Sequence, residues 1–115
     1  MSIQSTVEKN LFHSLGDGRL SRAAYEELAA TGQRITQRAQ SIVPVDTGEL
    51  RDSLGDEGNG VDEVTNYAGA EHAEYVELGT RNQAAQPYLY PAFVAETEGL
   101  PQRMGARIEA AAGGG

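Results

Sequence analysis

LSRAAYEELAATGQRITQRAQSIVP, Leu20 to Pro44, is the stretch that decides the fold. From Leu20, the positions Ala24, Leu28, Ile35, Ala39 and Ile42 fall on one face at spacings of four and seven, while Arg22, Glu26, Gln33, Arg34, Gln37 and Arg38 populate the others. That periodicity predicts an amphipathic helix over 20–42. Gly32 lies inside it and costs about 1 kcal/mol relative to alanine, which permits a bend or a close contact there. Pro44 ends the helix, because the residue before a proline is pushed out of the helical region.

Upstream, Ile3, Val7, Leu11 and Leu15 recur every four residues with Phe12 beside them, which predicts a short helix over 6–15 that stops at Gly16-Asp17-Gly18. Downstream the period changes. Leu50, Asp52 and Leu54 alternate with Arg51 and Ser53, and a turn-rich stretch, Gly55 to Gly60, precedes Val61 to Tyr67, so residues 50–67 are read as a β-hairpin with short strands. Helical spacing returns from Ala70 to Leu78, with Gly79 placed for a left-handed cap. Tyr88, Leu89 and Tyr90 are read as a short strand before Pro91 opens a last helix carrying Phe93, Val94, Met104 and Ile108, which Pro101 is expected to kink or split. The terminal residues 110–115 are expected to form a flexible tail.

These elements fit one domain of 115 residues. Leu, Ile, Val and Phe together number only 22, so the core is small and oligomerisation is a natural way to bury more surface. Seventeen acidic residues against nine basic ones give a net charge of -8, which repels a phosphate backbone and disfavours an ordinary nucleic-acid reader. The absence of cysteine excludes disulfides and thiolate metal sites. Glu8, Lys9 and Asn10 interrupt the N-terminal apolar positions, so no signal-peptide core or membrane-spanning run is expected, and the chain is read as soluble and made in the cytoplasm.

The residues with catalytic or ligating chemistry form no known constellation. His13 lies in the apolar register near Leu11 and Phe12 and is read as a surface or interface residue. His72 has Glu71 and Glu74 nearby, but neighbours at one and two residues point to different helix faces, and the paired histidines of a zinc-peptidase helix are missing. The loop containing Asp56, Glu57, Asn59, Asp62 and Glu63 has oxygen ligands for calcium, yet it lacks the glycine and glutamate positions of a helix-loop-helix calcium site and reads better as a solvated acidic hairpin. Ser21, Ser41 and Ser53 have no recognisable base partner. Nucleophile-elbow, phosphate-loop and dinucleotide-binding glycine patterns are missing, so no cofactor, metal or catalytic residue is assigned.

Three segments remain. VPVDTGELRDSL, residues 43–54, is a helix stop and polar turn in which Asp46 or Thr47 can bond a backbone amide and Gly48 supplies a permissive dihedral. AEYVELGT, residues 73–80, is a short helix closed by Gly79, and AAQPYLYPA, residues 84–92, is a proline-bounded arm that launches a helix. Taken in this order after a long amphipathic helix, from about Leu11 to Ile108, they make the chain resemble the HK-ninety-seven gene-ten-like family of tailed-virus morphogenesis proteins. The motif residues that carry the resemblance are Pro44, Asp46, Thr47, Gly48, Leu50, Gly79, Thr80, Gln86, Pro87 and Pro91.

The resemblance implies an α+β subunit in which a small antiparallel sheet, a hairpin plus a short strand, is packed by a long N-terminal helix and a C-terminal helix. It also implies a structural, non-enzymatic virion protein of the head-tail junction: a neck or tail-completion protein assembled as a ring of six copies. Its partners would be itself, the connector or stopper, and the tail-tube or terminator proteins, with DNA only as passing cargo and no membrane. A tail-terminator ring is the alternative within the class; a small cytoplasmic enzyme or calcium-binding module is the alternative outside it. Sheet edges left unpaired by a small sheet can be satisfied across subunits. The candidate subunit-interface residues are therefore Leu54, Val61 and Val64 of the hairpin with Tyr75, Tyr88, Leu89 and Tyr90. Asp56, Glu57, Asp62 and Glu63 are candidates for a lumen or solvent face, where negative charge repels passing DNA. The same acidic surplus predicts repulsion between subunits at low ionic strength and stronger assembly as salt screens it.

Overall fold

The structure is a computed structural model, and it describes residues 2–5, 21–44, 48–71 and 73–113. Strand β1 (Ser2–Ser5) is followed by the long helix α1 (Arg22–Ile42), a single helical turn α2 (Glu49–Asp52), strands β2 (Leu54–Gly58) and β3 (Val64–Ala68), and helices α3 (Ala73–Leu78), α4 (Leu89–Thr97) and α5 (Leu100–Gly113). The three strands form one antiparallel sheet in the order β1-β3-β2. This is the α+β arrangement expected, with the sheet on one side of α1 and the C-terminal helices against it.

Helix α1 starts where Ser21 places its hydroxyl to accept from the Ala24 amide, and it stops at Ile42, two residues before Pro44. Its position 32 is a close contact, as the sequence suggested: a Cβ there would sit 2.5 Å from Val64 Cγ1. Only glycine lets β3 approach α1 this closely. The buried Gly32 carbonyl then becomes an acceptor for buried Asn66 Nδ2 at 2.9 Å, whose amide group also donates to Thr36 Oγ1. Thr36 in turn donates to Asp56 Oδ1 at 2.7 Å, so one polar thread runs from β3 through α1 to β2. Val64, Asn66 and Ala68 alternate inward along β3, as a half-buried strand requires.

The hairpin register pairs Leu54 with Ala68 and Gly58 with Val64. At its tip the Asn59 side-chain oxygen accepts from the amides of Val61, Asp62 and Glu63, which holds the turn. The core has two centres. Ile35, Ala39, Val43, Leu50, Leu54, Ala68, Ala73, Tyr88, Leu89 and Ala92 pack around the C-terminal half of α1; Ala24, Leu28, Val64, Leu100 and Met104 pack around its N-terminal half.

Three expectations are corrected. Residues 50–52 are helical, not the start of a strand, because Gly48 adopts φ 81° and turns the chain so that Leu50 is buried, and the Asp52 and Ser53 amides close a helical turn on Gly48 and Glu49. Tyr88 to Tyr90 are the cap and first turn of α4, not a strand; the extra strand of the sheet is β1. The C-terminal helix is split as expected, but at Glu98-Gly99, and Pro101 lies in the first turn of α5 where its missing amide is not needed. Helix α5 itself continues to Gly113, beyond the onset expected for a tail. The helix expected over 6–15 lies outside the described residues.

Candidate functional site

Two constellations join distant segments. The first links α3 to α4. The Glu77 carboxylate accepts from the Tyr88 amide at 3.1 Å, the Leu89 amide at 2.8 Å and the Tyr90 amide at 3.1 Å. A helix leaves four N-terminal amides without partners. For α4 these fall at Tyr88, Leu89, Tyr90 and Pro91, so Glu77 takes three and the fourth residue has no amide to satisfy. The negative charge also lies at the positive end of the helix dipole. Gly79 turns the chain away from α3 with φ 79°, and Gln86 returns to donate its amide to the Val76 carbonyl at 2.8 Å. Between them, Thr80 and Gln83 pair across the turn. Tyr88 completes the junction by donating its hydroxyl to the Ala73 carbonyl; burial, with the Glu77 charge, pushes that phenol up to about 12.

The second links α1 to α4 and α5. Buried Glu27 accepts from Arg34 at 2.7 Å, Arg103 at 3.0 Å and Arg107 at 2.7 Å, and Glu96 of α4 accepts from Arg34 and Arg38. Burial works against a charged Glu27, but the hydrogen bonds from Arg107, Arg34 and Arg103 outweigh it and hold the carboxyl down at about 2. Burial opposes ionisation of Glu96 too, and its bond to Arg38 outweighs that and lowers it. Glu27, Thr31, Arg34 and Arg38 form a stripe at spacings of four, three and four along α1. That spacing was visible in the sequence; its partners on α4 and α5 were not.

The residues singled out from the sequence separate into buried and exposed sets. Leu54, Val64, Tyr88 and Leu89 lie in the chain's own core, whereas Val61, Tyr75 and Tyr90 are on the surface. Asp56 is engaged by Thr36, Asp62 accepts from Asn59 Nδ2, and Glu57 and Glu63 line a shallow recess with Asn59 and Thr65. Of the motif residues, Pro44 is exposed and Leu50 buried; Gly48 and Gly79 have the left-handed dihedrals their types permit; Thr80, Gln86, Pro87 and Pro91 belong to the capped junction. Asp46, Thr47, His13 and His72 lie outside the described residues. Among the described residues no three carboxylate or histidine side chains come together in a way that could hold a metal ion, and no helix is long and apolar enough to cross a membrane.

A family model described as "Bacteriophage HK97-gp10, putative tail-component" matches residues 7–79, which is most of the chain. The chain belongs to the HK97-gp10-like family. The match includes the long helix, the hairpin and α3 as far as Gly79, so Glu77 lies within it and the α4 amides it caps lie beyond it. The resemblance read from the sequence continued to about Ile108; the family match ends earlier, before the proline-bounded arm. Membership makes this a protein of a phage tail-component family, whose place is in the virion among other virion proteins. No curated protein and no solved structure matches the chain.

Proposed function

We propose that this chain is a structural, non-enzymatic protein of the head-tail junction of a tailed virus, a neck or tail-completion component that forms a ring between the connector and the tail tube. The family match carries this reading. The surface supports it: Tyr75, Leu78, Tyr90 and Val94 expose large apolar side chains, as a subunit with neighbours does. In the ring, Val61, Tyr75 and Tyr90 contribute to subunit contacts, and the acidic hairpin residues Asp56, Glu57, Asp62 and Glu63 face the lumen or solvent, where they repel DNA phosphates. The chain is one domain in this reading, and DNA passes without being bound.

The test is the native mass of the purified protein from low to multimolar salt. A closed species near 73 kDa, six times the 12.2 kDa chain, is expected. A monomer at every salt concentration would overturn self-driven ring formation. Labelling the protein in intact virions then separates the neck from the tail terminator, the second reading within the family, by the ring it touches.

A further inference from the structure

The capped junction and the Arg103–Arg107 side of the ion cluster meet different halves of α1, and their surfaces differ in character. Arg103 and Arg107 meet α1 at Glu27, whereas the junction shares a core with Ile35, Ala39 and Val43, which begins eight residues further and about 12 Å along the axis, with Arg34 and Arg38 reaching toward it. Around the Glu77 cap, Leu78 is 71% exposed, Tyr90 60% and Tyr75 54%. Tyr75 and Leu78 flank Glu77 on α3, and the Tyr90 amide is itself bonded to the cap, so the three lie within one helical turn of a single carboxylate. Glu74 is exposed beside them.

In the ion cluster, Arg34, Arg38, Arg103 and Arg107 are each between 36% and 49% exposed, and Glu27 and Glu96, the two buried carboxylates they share, are 7% and 14% exposed. These four cations face outward over Glu27 and Glu96, while Glu26, half exposed at the edge, pairs with Arg107 and Arg22. Counting Glu26 and Arg22 at its edge, three of the chain's 17 acidic residues and five of its nine basic ones are in this cluster. It is therefore a cationic face on a strongly acidic chain. Two copies with a net charge of -8 repel in most orientations, and this face is where a neighbour's carboxylates meet positive charge instead.

We infer that these surfaces are the two halves of a head-to-tail contact, in which the Tyr75–Leu78–Tyr90 surface of one copy, with Glu74 at its edge, seats on the Arg103–Arg107 face of the next. Guanidiniums stack on tyrosine rings and pair with carboxylates, and tyrosine and arginine are the residue types that dominate interface cores. Each copy carries one of each surface, which is the condition for a contact that propagates and closes by rotation. The inference rests on the ring reading above and names the surfaces that would build it.

The chain has no cysteine, so single-cysteine variants report contacts cleanly. Leu78→Cys and Arg107→Cys are each treated with a bismaleimide, alone and mixed. Neither alone is expected to cross-link, the mixture is expected to give a heterodimer, and the double variant a ladder ending at six. Ala110→Cys, exposed one turn beyond Arg107 and outside the ion cluster, repeats the experiment without removing an ion pair. Tyr90→Ser is expected to weaken assembly about tenfold. Dimers from Leu78→Cys alone would show a two-fold contact and overturn the inference. A wild-type ring whose mixed variants stay uncross-linked would overturn it while the ring reading stands, and a wild-type monomer without cross-links would overturn both.

Discussion

The Glu77 carboxylate lies 2.8 Å from the Leu89 amide and, through its neighbouring bonds, is the cap of a helix twelve residues away. Glu77→Ala leaves the Tyr88, Leu89 and Tyr90 amides facing a buried gap and is expected to cost about 2–3 kcal/mol. Glu77→Gln keeps the shape but gives up the charge and one acceptor, and a loss of about 1 kcal/mol is expected. Urea midpoints of the two variants against the parent protein measure both; equal stability of all three would show that the cap carries no weight.

Gly32→Ala sets two effects against each other. Alanine gains about 1 kcal/mol of helix propensity, but its methyl would lie 2.5 Å from Val64 Cγ1, where overpacking costs about 1–3 kcal/mol. Net destabilisation is expected, because the obstacle is a side chain fixed in the sheet. Val64→Ala in the same chain opens that space, so the double variant should lose less than the sum of the singles. Thermal melts of the four proteins test this, and strict additivity would contradict it.

Acid should release the helix that closes the fold. The Glu27 carboxyl is depressed to about 2 from an ordinary value near 4.5, so its contribution is complete above pH 4.5 and is lost progressively as pH falls toward 2. That contribution is on the order of 3 kcal/mol. Glu27→Gln should lower stability at pH 7 and flatten the acid limb of a stability-pH curve. A variant curve parallel to the wild type between pH 5 and 2 would exclude Glu27 as the source.

Gly79→Ala combines two costs. The φ of 79° disfavours any side chain, and a Cβ would approach the Ala85 amide nitrogen to 2.8 Å. A loss of about 1–2 kcal/mol is expected, with faster proteolysis in the loop 80–87. Limited proteolysis and a denaturant melt check the two parts separately.

Much of the architecture was legible because it is local. The apolar spacing from Ala24 to Ile42 marked α1 within two residues of its start, and Gly32, Gly48 and Gly79 marked a close contact and two left-handed turns. Local reading failed where a short segment takes its conformation from a distant partner. Tyr88-Leu89-Tyr90 has strand-like residues and becomes a helix start because Glu77 caps it. Leu50 to Asp52 alternate like a strand but form a helical turn after Gly48. Four of the seven proposed contact residues were apolar for the sake of the chain's own core, a distinction that composition and spacing do not carry.

The sequence by itself determined the long helix, the hairpin, the acidic charge and the motifs that mark the family, because periodicity, turn chemistry and net charge depend on residues near one another along the chain. Only the tertiary structure decided the ion cluster, the Glu77 cap and the division between buried and exposed tyrosines. Each of these depends on which side chains meet across the fold. A carboxylate such as Glu27 reads as surface until the arginines of a helix more than seventy residues later close over it.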